Sequence, residues 1–203
     1  MKLSRQARLA TAAAVALTAA LLLLLPAAAG ASTRALGAGT ATFVLDPGQT
    51  GTLITNGTPP YAMSPARLSF GASVIRLTMP IRGGTWSPSG LHGTFLLRGG
   101  LVFVEPSTPT WKKLRLTSWR AGVNNSSGFS ILVNGSRHAG FFEENLMGSE
   151  PSIVTIKGHK YVKVTNVLLF FDATSVNAFT GVFGSGPADS APFGAVTFLA
   201  RLK

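Results

Sequence analysis

The sequence predicts a mainly β fold, an antiparallel β-sandwich or barrel-like sheet with one short C-terminal helix before the last strand. Apolar and polar residues alternate at period two along much of the chain, the pattern of strands with one buried face. Turn residues punctuate these runs roughly every 8–12 residues, the spacing of sandwiches and barrels. The 23 Gly and 12 Pro among 203 residues are too many for a helical bundle, and 46% hydrophobic content is too high for a disordered basic tail.

Residues 40–45 read as the opening strand, closed by a turn at Asp46-Pro47-Gly48. A second run, 74–81, ends at the breaker pair Gly83-Gly84. Residues 92–97 and 101–104 flank Arg98-Gly99-Gly100, where glycine relieves the steric cost of a tight hairpin. Further strands fit 113–121, 129–133, 137–143, 152–156 and 161–171, with a two-residue hairpin at Asn134-Gly135. The period then changes. Asp172 can cap a helix whose Val176, Phe179, Val182 and Phe183 recur at three- and four-residue spacing, and Gly184 fits a left-handed C-terminal cap. Residues 193–202 read as the closing strand. There is no internal repeat and no dividing linker, so residues 32–203 are expected to form a single domain.

The first 31 residues read as a signal peptide. Lys2, Arg5 and Arg8 form a basic start, an uncharged apolar run from Leu9 to Leu25 follows, and Pro26 leads into Ala27-Ala28-Ala29-Gly30-Ala31. Small residues at alternate positions are what signal peptidase reads, which places the cut after Ala29 or Ala31. If uncleaved, the same segment is long enough to anchor the chain in a membrane. Both routes put the domain outside the cytoplasm, secreted or associated with the cell envelope.

Eighteen Lys and Arg oppose seven acids, a formal +11. Loss of the three basic residues of the signal leaves a mature charge of +8. Such an excess draws polyanions, an anionic cell-wall polymer among them. No motif specific for nucleic acid is present. With no Cys there is no disulfide framework, thiolate nucleophile or Cys-based metal site.

Catalytic patterns are sparse. Glu105 with Glu143 or Glu144 supplies the carboxyl pair that a glycan hydrolase requires, although nothing in their spacing demands it. His92, His138 and His159 are scattered without metal-ligand spacing, and no G-x-S-x-G elbow occurs. The reading is a non-enzyme with no cofactor of its own and no metal site.

One segment stands out as a binding surface. In 111–120, strand alternation puts Trp111, Lys113, Arg115, Thr117 and Trp119 on one face and Leu114 and Leu116 on the other. Two indoles interleaved with two cations make a platform for a sugar chain, an anionic polymer or a flat ring ligand. The alternative is plain cross-strand packing, with indoles covering Lys and Arg stems.

The order of several segments resembles the HtaA domain family, exported or surface β-rich domains of Gram-positive actinobacteria, and its short exported relatives. The resemblance rests on Thr42-Phe43-Val44-Leu45-Asp46-Pro47, on Ile81-Arg82-Gly83-Gly84 followed by Leu91 to Phe103, on Val164 to Val167 leading into Asp172-Ala173-Thr174, on Asn177-Ala178-Phe179 and Phe183-Gly184, and on Phe193 to Thr197. It implies a haem-binding alternative, since haem-binding members use a tyrosine ligand supported by a histidine in a Gly-His-x-Gly turn. The corresponding turn here, Arg98-Gly99-Gly100, has no histidine. The tyrosines left to hold iron are Tyr161, with His159 two residues away, and Tyr61. The function expected first is therefore a non-catalytic binding protein for an extracellular small ligand or anionic wall polymer. Haem binding is the alternative, and a glycan-active hydrolase comes after it.

Overall fold

Among the described residues twelve antiparallel strands build one sheet, and eight of them close into a barrel. The computed structural model describes residues 32–106, 110–124 and 128–203; the export segment read at residues 1–31 lies outside them. The strands are β1 (Arg34–Leu45), β2 (Pro60–Met63), β3 (Arg67–Phe70), β4 (Ile75–Ser87), β5 (His92–Leu97), β6 (Gly100–Glu105), β7 (Lys112–Val123), β8 (Phe129–Val133), β9 (Ser136–Asn145), β10 (Glu150–Ile156), β11 (His159–Phe171) and β12 (Pro192–Leu202). The helices are α1 (Pro47–Thr55) and α2 (Ala173–Phe183). The ring runs β7-β5-β4-β1-β12-β11-β9-β8 and returns to β7 through the β7–β8 pairing. Strands β6 and β2 extend from β7, β3 pairs with β4, and β10 pairs with β11. The sequence left sandwich and barrel open, and the architecture is a barrel.

Eight strands enclose a space that side chains can fill, and here aromatic rings fill it. Phe95 stacks on Phe198 with centroids 4.5 Å apart, and Phe142 stacks on Phe193 at 4.3 Å. Phe43 meets Trp119 edge-on at 5.3 Å, and α2 delivers Phe179 against Phe103 at 4.8 Å. All of these except Phe193, at 5%, are 0–1% exposed, so the lumen is packed core.

Local chemistry sets the helices. Asp172 caps α2, accepting from the Ser175 amide at 2.8 Å, and Gly184 ends it with φ 81°. Helix α1 is a correction. Asp46-Pro47-Gly48 reads as a turn, but Asp46 accepts from the Gln49 amide at 2.7 Å and Pro47 takes the first helical position, where its missing N–H costs nothing. A nine-residue helix follows.

Two glycine readings also change. Gly83 and Gly84 do not break β4; the strand runs through them to Ser87, because Gly84 lies where a Cβ would collide with the Thr94 carbonyl of β5. At Arg98-Gly99-Gly100 no hairpin forms. Strands β5 and β6 both pair with β7, along the same edge, and the chain only bends between them at Gly99, φ 89°. That bend sends β5 into the ring and β6 out of it toward β2. The Asn134-Gly135 hairpin is as expected, both residues having positive φ (47° and 93°).

Candidate functional site

Of the side chains in 111–119 expected to share one face, all but one lie on the outer side of β7. Trp111 is 60% exposed just before the strand, and the Lys113 ammonium stands 5.6 Å from its ring centroid. Arg115 points outward, and its backbone is clasped by the hairpin tip. The Arg115 amide donates to Asn134 Oδ1, and the Asn134 amide donates to the Arg115 carbonyl, each at 2.9 Å. Trp119 does not join them. Ser118 adopts φ 50°, and the register against β8 slips between Thr117 and Arg120. This bulge reverses the alternation. Trp119 turns into the barrel, 1% exposed, where its indole N–H donates to the Leu116 carbonyl at 2.9 Å. The platform reading fails for Trp119, which is a packing residue.

The sheet supplies a neighbour the sequence kept apart. Tyr61 on β2 pairs with Val102 on β6, and Val102 pairs with Arg115 on β7. All three face outward, since Leu101, Phe103, Leu114 and Leu116 between them are buried. Tyr61 and Arg115 thus lie two strand spacings apart, about 10 Å at the backbone. Tyr61 is 53% exposed. Met63, two residues on, lines a groove of about 600 Å³ with Trp111, Lys113, Arg115, Thr117 and Asn134.

Two further hollows follow in line, the first sharing Met63 and Thr117 with this groove and the second sharing Arg82 and Ser118 with the first. One, of about 320 Å³, includes Met63, Arg82, Arg98, Thr117 and Ser118. The other, of about 360 Å³, includes Arg82, Ser118, Arg120, Ser130 and Arg137. Arg137 is held in place, donating to the Ser118 carbonyl at 2.9 Å and more weakly to the Ser130 carbonyl at 3.4 Å. Arg82, Arg98, Arg120 and Arg137 sit on different strands or bends, so only the strand order reveals their meeting. Outward arginines were the sole sequence signal.

Tyr161 lies elsewhere, on β11, paired with Val154 of β10 and Arg201 of β12. His159 shares its outward face, and an Arg201 guanidinium nitrogen lies 3.0 Å from His159 Nδ1. His159 and Tyr161 therefore share one face of β11, with Arg201 beside His159. Tyr61 and Tyr161 are on separate parts of the sheet.

The acids divide. The Glu105 carboxylate pairs with Lys112 at 3.2 Å. Glu143 and Glu144 are successive on β9 and so face opposite sides of it. Glu144 is opposite buried Leu169, one of its carboxyl oxygens has no hydrogen-bond partner, and burial pushes its pKa up to about 7. Among the described residues no helix is long and apolar enough to cross a membrane.

A closed antiparallel barrel with a grooved, cationic outer face and a short helix before the last strand defines the architecture, and this is an HtaA-like fold. The structure is similar to the C-terminal domain of HtaA from Corynebacterium glutamicum, with a TM-score of 0.56 and 10% identity over 84% of this chain and 99% of that one. The haem-binding protein HtaB of the same organism matches with a TM-score of 0.49 and 13% identity, over 85% of this chain and 96% of that one. No family model matches the sequence, and no curated protein does.

Proposed function

We propose that this chain is a non-catalytic binding protein working outside the cytoplasm, and that its ligand is haem, seated in the Trp111 groove with Tyr61 at its rim. The observation that carries this reading is the register of Tyr61, Val102 and Arg115 on one outward face beside Trp111 and Lys113. The donor set fits the ligand. A phenol suits ferric iron, the Trp111 indole and the Met63 and Val102 side chains suit the porphyrin face, and Lys113 and Arg115 suit two propionates. The groove is concave, as small-ligand sites are. In the competing seat on β11, Tyr161 takes the iron and His159 and Arg201 support it.

Titration of the purified protein with haemin tests this. A shifted Soret band is expected, lost in Tyr61→Phe and kept in Tyr161→Phe. The reverse pattern moves the seat to β11, and a wild-type spectrum equal to that of free haemin removes haem altogether.

A further inference from the structure

The three hollows on the outer face join into one trough. The two smaller ones share Arg82 and Ser118, and the middle one shares Met63 and Thr117 with the Trp111 groove. Among the described residues six cations line it: Lys113, Arg115, Arg98, Arg82, Arg120 and Arg137. Among the described residues no carboxylate lines any of the three. Like charges gathered without counter-charges repel one another, and an anionic ligand relieves that cost. The hydroxyls of Ser64, Thr117, Ser118 and Ser130 add neutral donors along the same path. Guanidinium forks match phosphate oxygens in pairs, and Arg137 is already fixed by the Ser118 carbonyl.

We propose that the arginine end of this trough, around Arg82, Arg98, Arg120 and Arg137, is a second binding site that takes a polyanion with repeating phosphodiester groups on a polyol or sugar backbone. A single phosphate ion cannot engage cations spread over two connected hollows, whereas a polymer presents a charge to each in turn. Nucleic acid is the weaker fit. Among the described residues that line the trough, Trp111 is the one exposed aromatic ring, at its far end, and single strands are held by bases stacking on successive rings. A lipid surface is flat, and the site is a furrow. The inference does not rest on haem.

The test uses the purified protein and poly(glycerol phosphate). Binding is expected to weaken steeply with salt, as counterion release requires. Arg82→Gln and Arg120→Gln, both at exposed positions, should each cost several-fold in affinity and lower the salt slope by about one. Lys160→Gln on β11 removes the same charge far from the trough and should change neither. Soret titration of the same variants should be unaltered, which separates failure here from failure of the haem reading. The inference is overturned if Lys160→Gln weakens binding as much as the arginine variants. It also falls if inorganic phosphate, single-stranded DNA or phosphatidylglycerol vesicles bind as tightly as the polymer at equal phosphate concentration.

Discussion

Tyr61 and Arg115 stand on one face of the sheet with only Val102 between them, although 53 residues separate them in the chain. The pairing β2-β6-β7 creates this proximity, and it depends on the bend at Gly99 that steers β6 out of the ring. A phenol and a guanidinium held at that separation on a rigid sheet can meet two parts of one flat, dianionic ligand.

Lys113→Gln and Arg115→Gln should each weaken haemin binding by roughly tenfold, the worth of one charge-assisted contact. The wavelength of the bound Soret band should stay unchanged, because the proposed role of both residues is at the propionates and not at iron. Absorbance titration reads both quantities, and a moved band would contradict the assigned roles.

The two indoles of the segment should behave oppositely. Trp119→Ala empties a site packed by Phe43, Phe142 and Phe193 and should cost about 3–5 kcal/mol of stability. Trp111→Ala removes an exposed ring and should shift stability by less than about 0.5 kcal/mol while weakening ligand binding. Chemical denaturation and a binding isotherm on the same samples decide between them.

Ser118 holds the bulge with a left-handed backbone, φ 50°. Ser118→Gly should be neutral or slightly stabilising, since glycine adopts that conformation freely. Ser118→Val should destabilise by about 1–2 kcal/mol, because a β-branched side chain resists positive φ. Tryptophan fluorescence would report any exposure of Trp119 in the valine variant.

Glu144 makes stability depend on pH. Its pKa rises from 4.5 to about 7 on folding, because burial penalises the carboxylate. Between those values the folded chain holds a proton that the unfolded chain releases, so this contribution falls as pH rises. It is complete below about pH 4.5 and lost above about pH 7. Allowing for partial exposure, the effect should be on the order of 1 kcal/mol. Glu144→Gln should flatten this limb and leave the protein more stable than wild type at pH 8, as melting temperatures at pH 5 and 8 would show.

Much of the fold was legible because strand alternation and helix capping are local. Residues 92–97 and 129–133 form strands with the expected bounds, and Asp172 and Gly184 bracket the expected helix. The misses arose where local pattern met tertiary demand. Gly84 looked like a breaker because its contact with the Thr94 carbonyl is across the sheet. Trp119 looked exposed because one residue of bulge inverts every side chain after it. The short strands β2 and β3, four residues each, carry too few alternations to announce themselves. Trp111, Lys113 and Arg115 could be picked out, since they share one strand. Tyr61 and the four trough arginines could not be joined to them, because strand order is set by distant pairings.

The barrel is sealed by its last element. Strand β12 lies between β1 and β11, hydrogen-bonded to both, and its Val196, Phe198 and Ala200 complete the interior. A chain shortened before Pro192 would leave two long edges unpaired and the packed rings without their partner. Closure of the barrel must therefore wait for Pro192–Leu202, and with so many contacts between distant residues it should be slow. A nascent chain would remain open, and accessible to chaperones, until that strand had emerged.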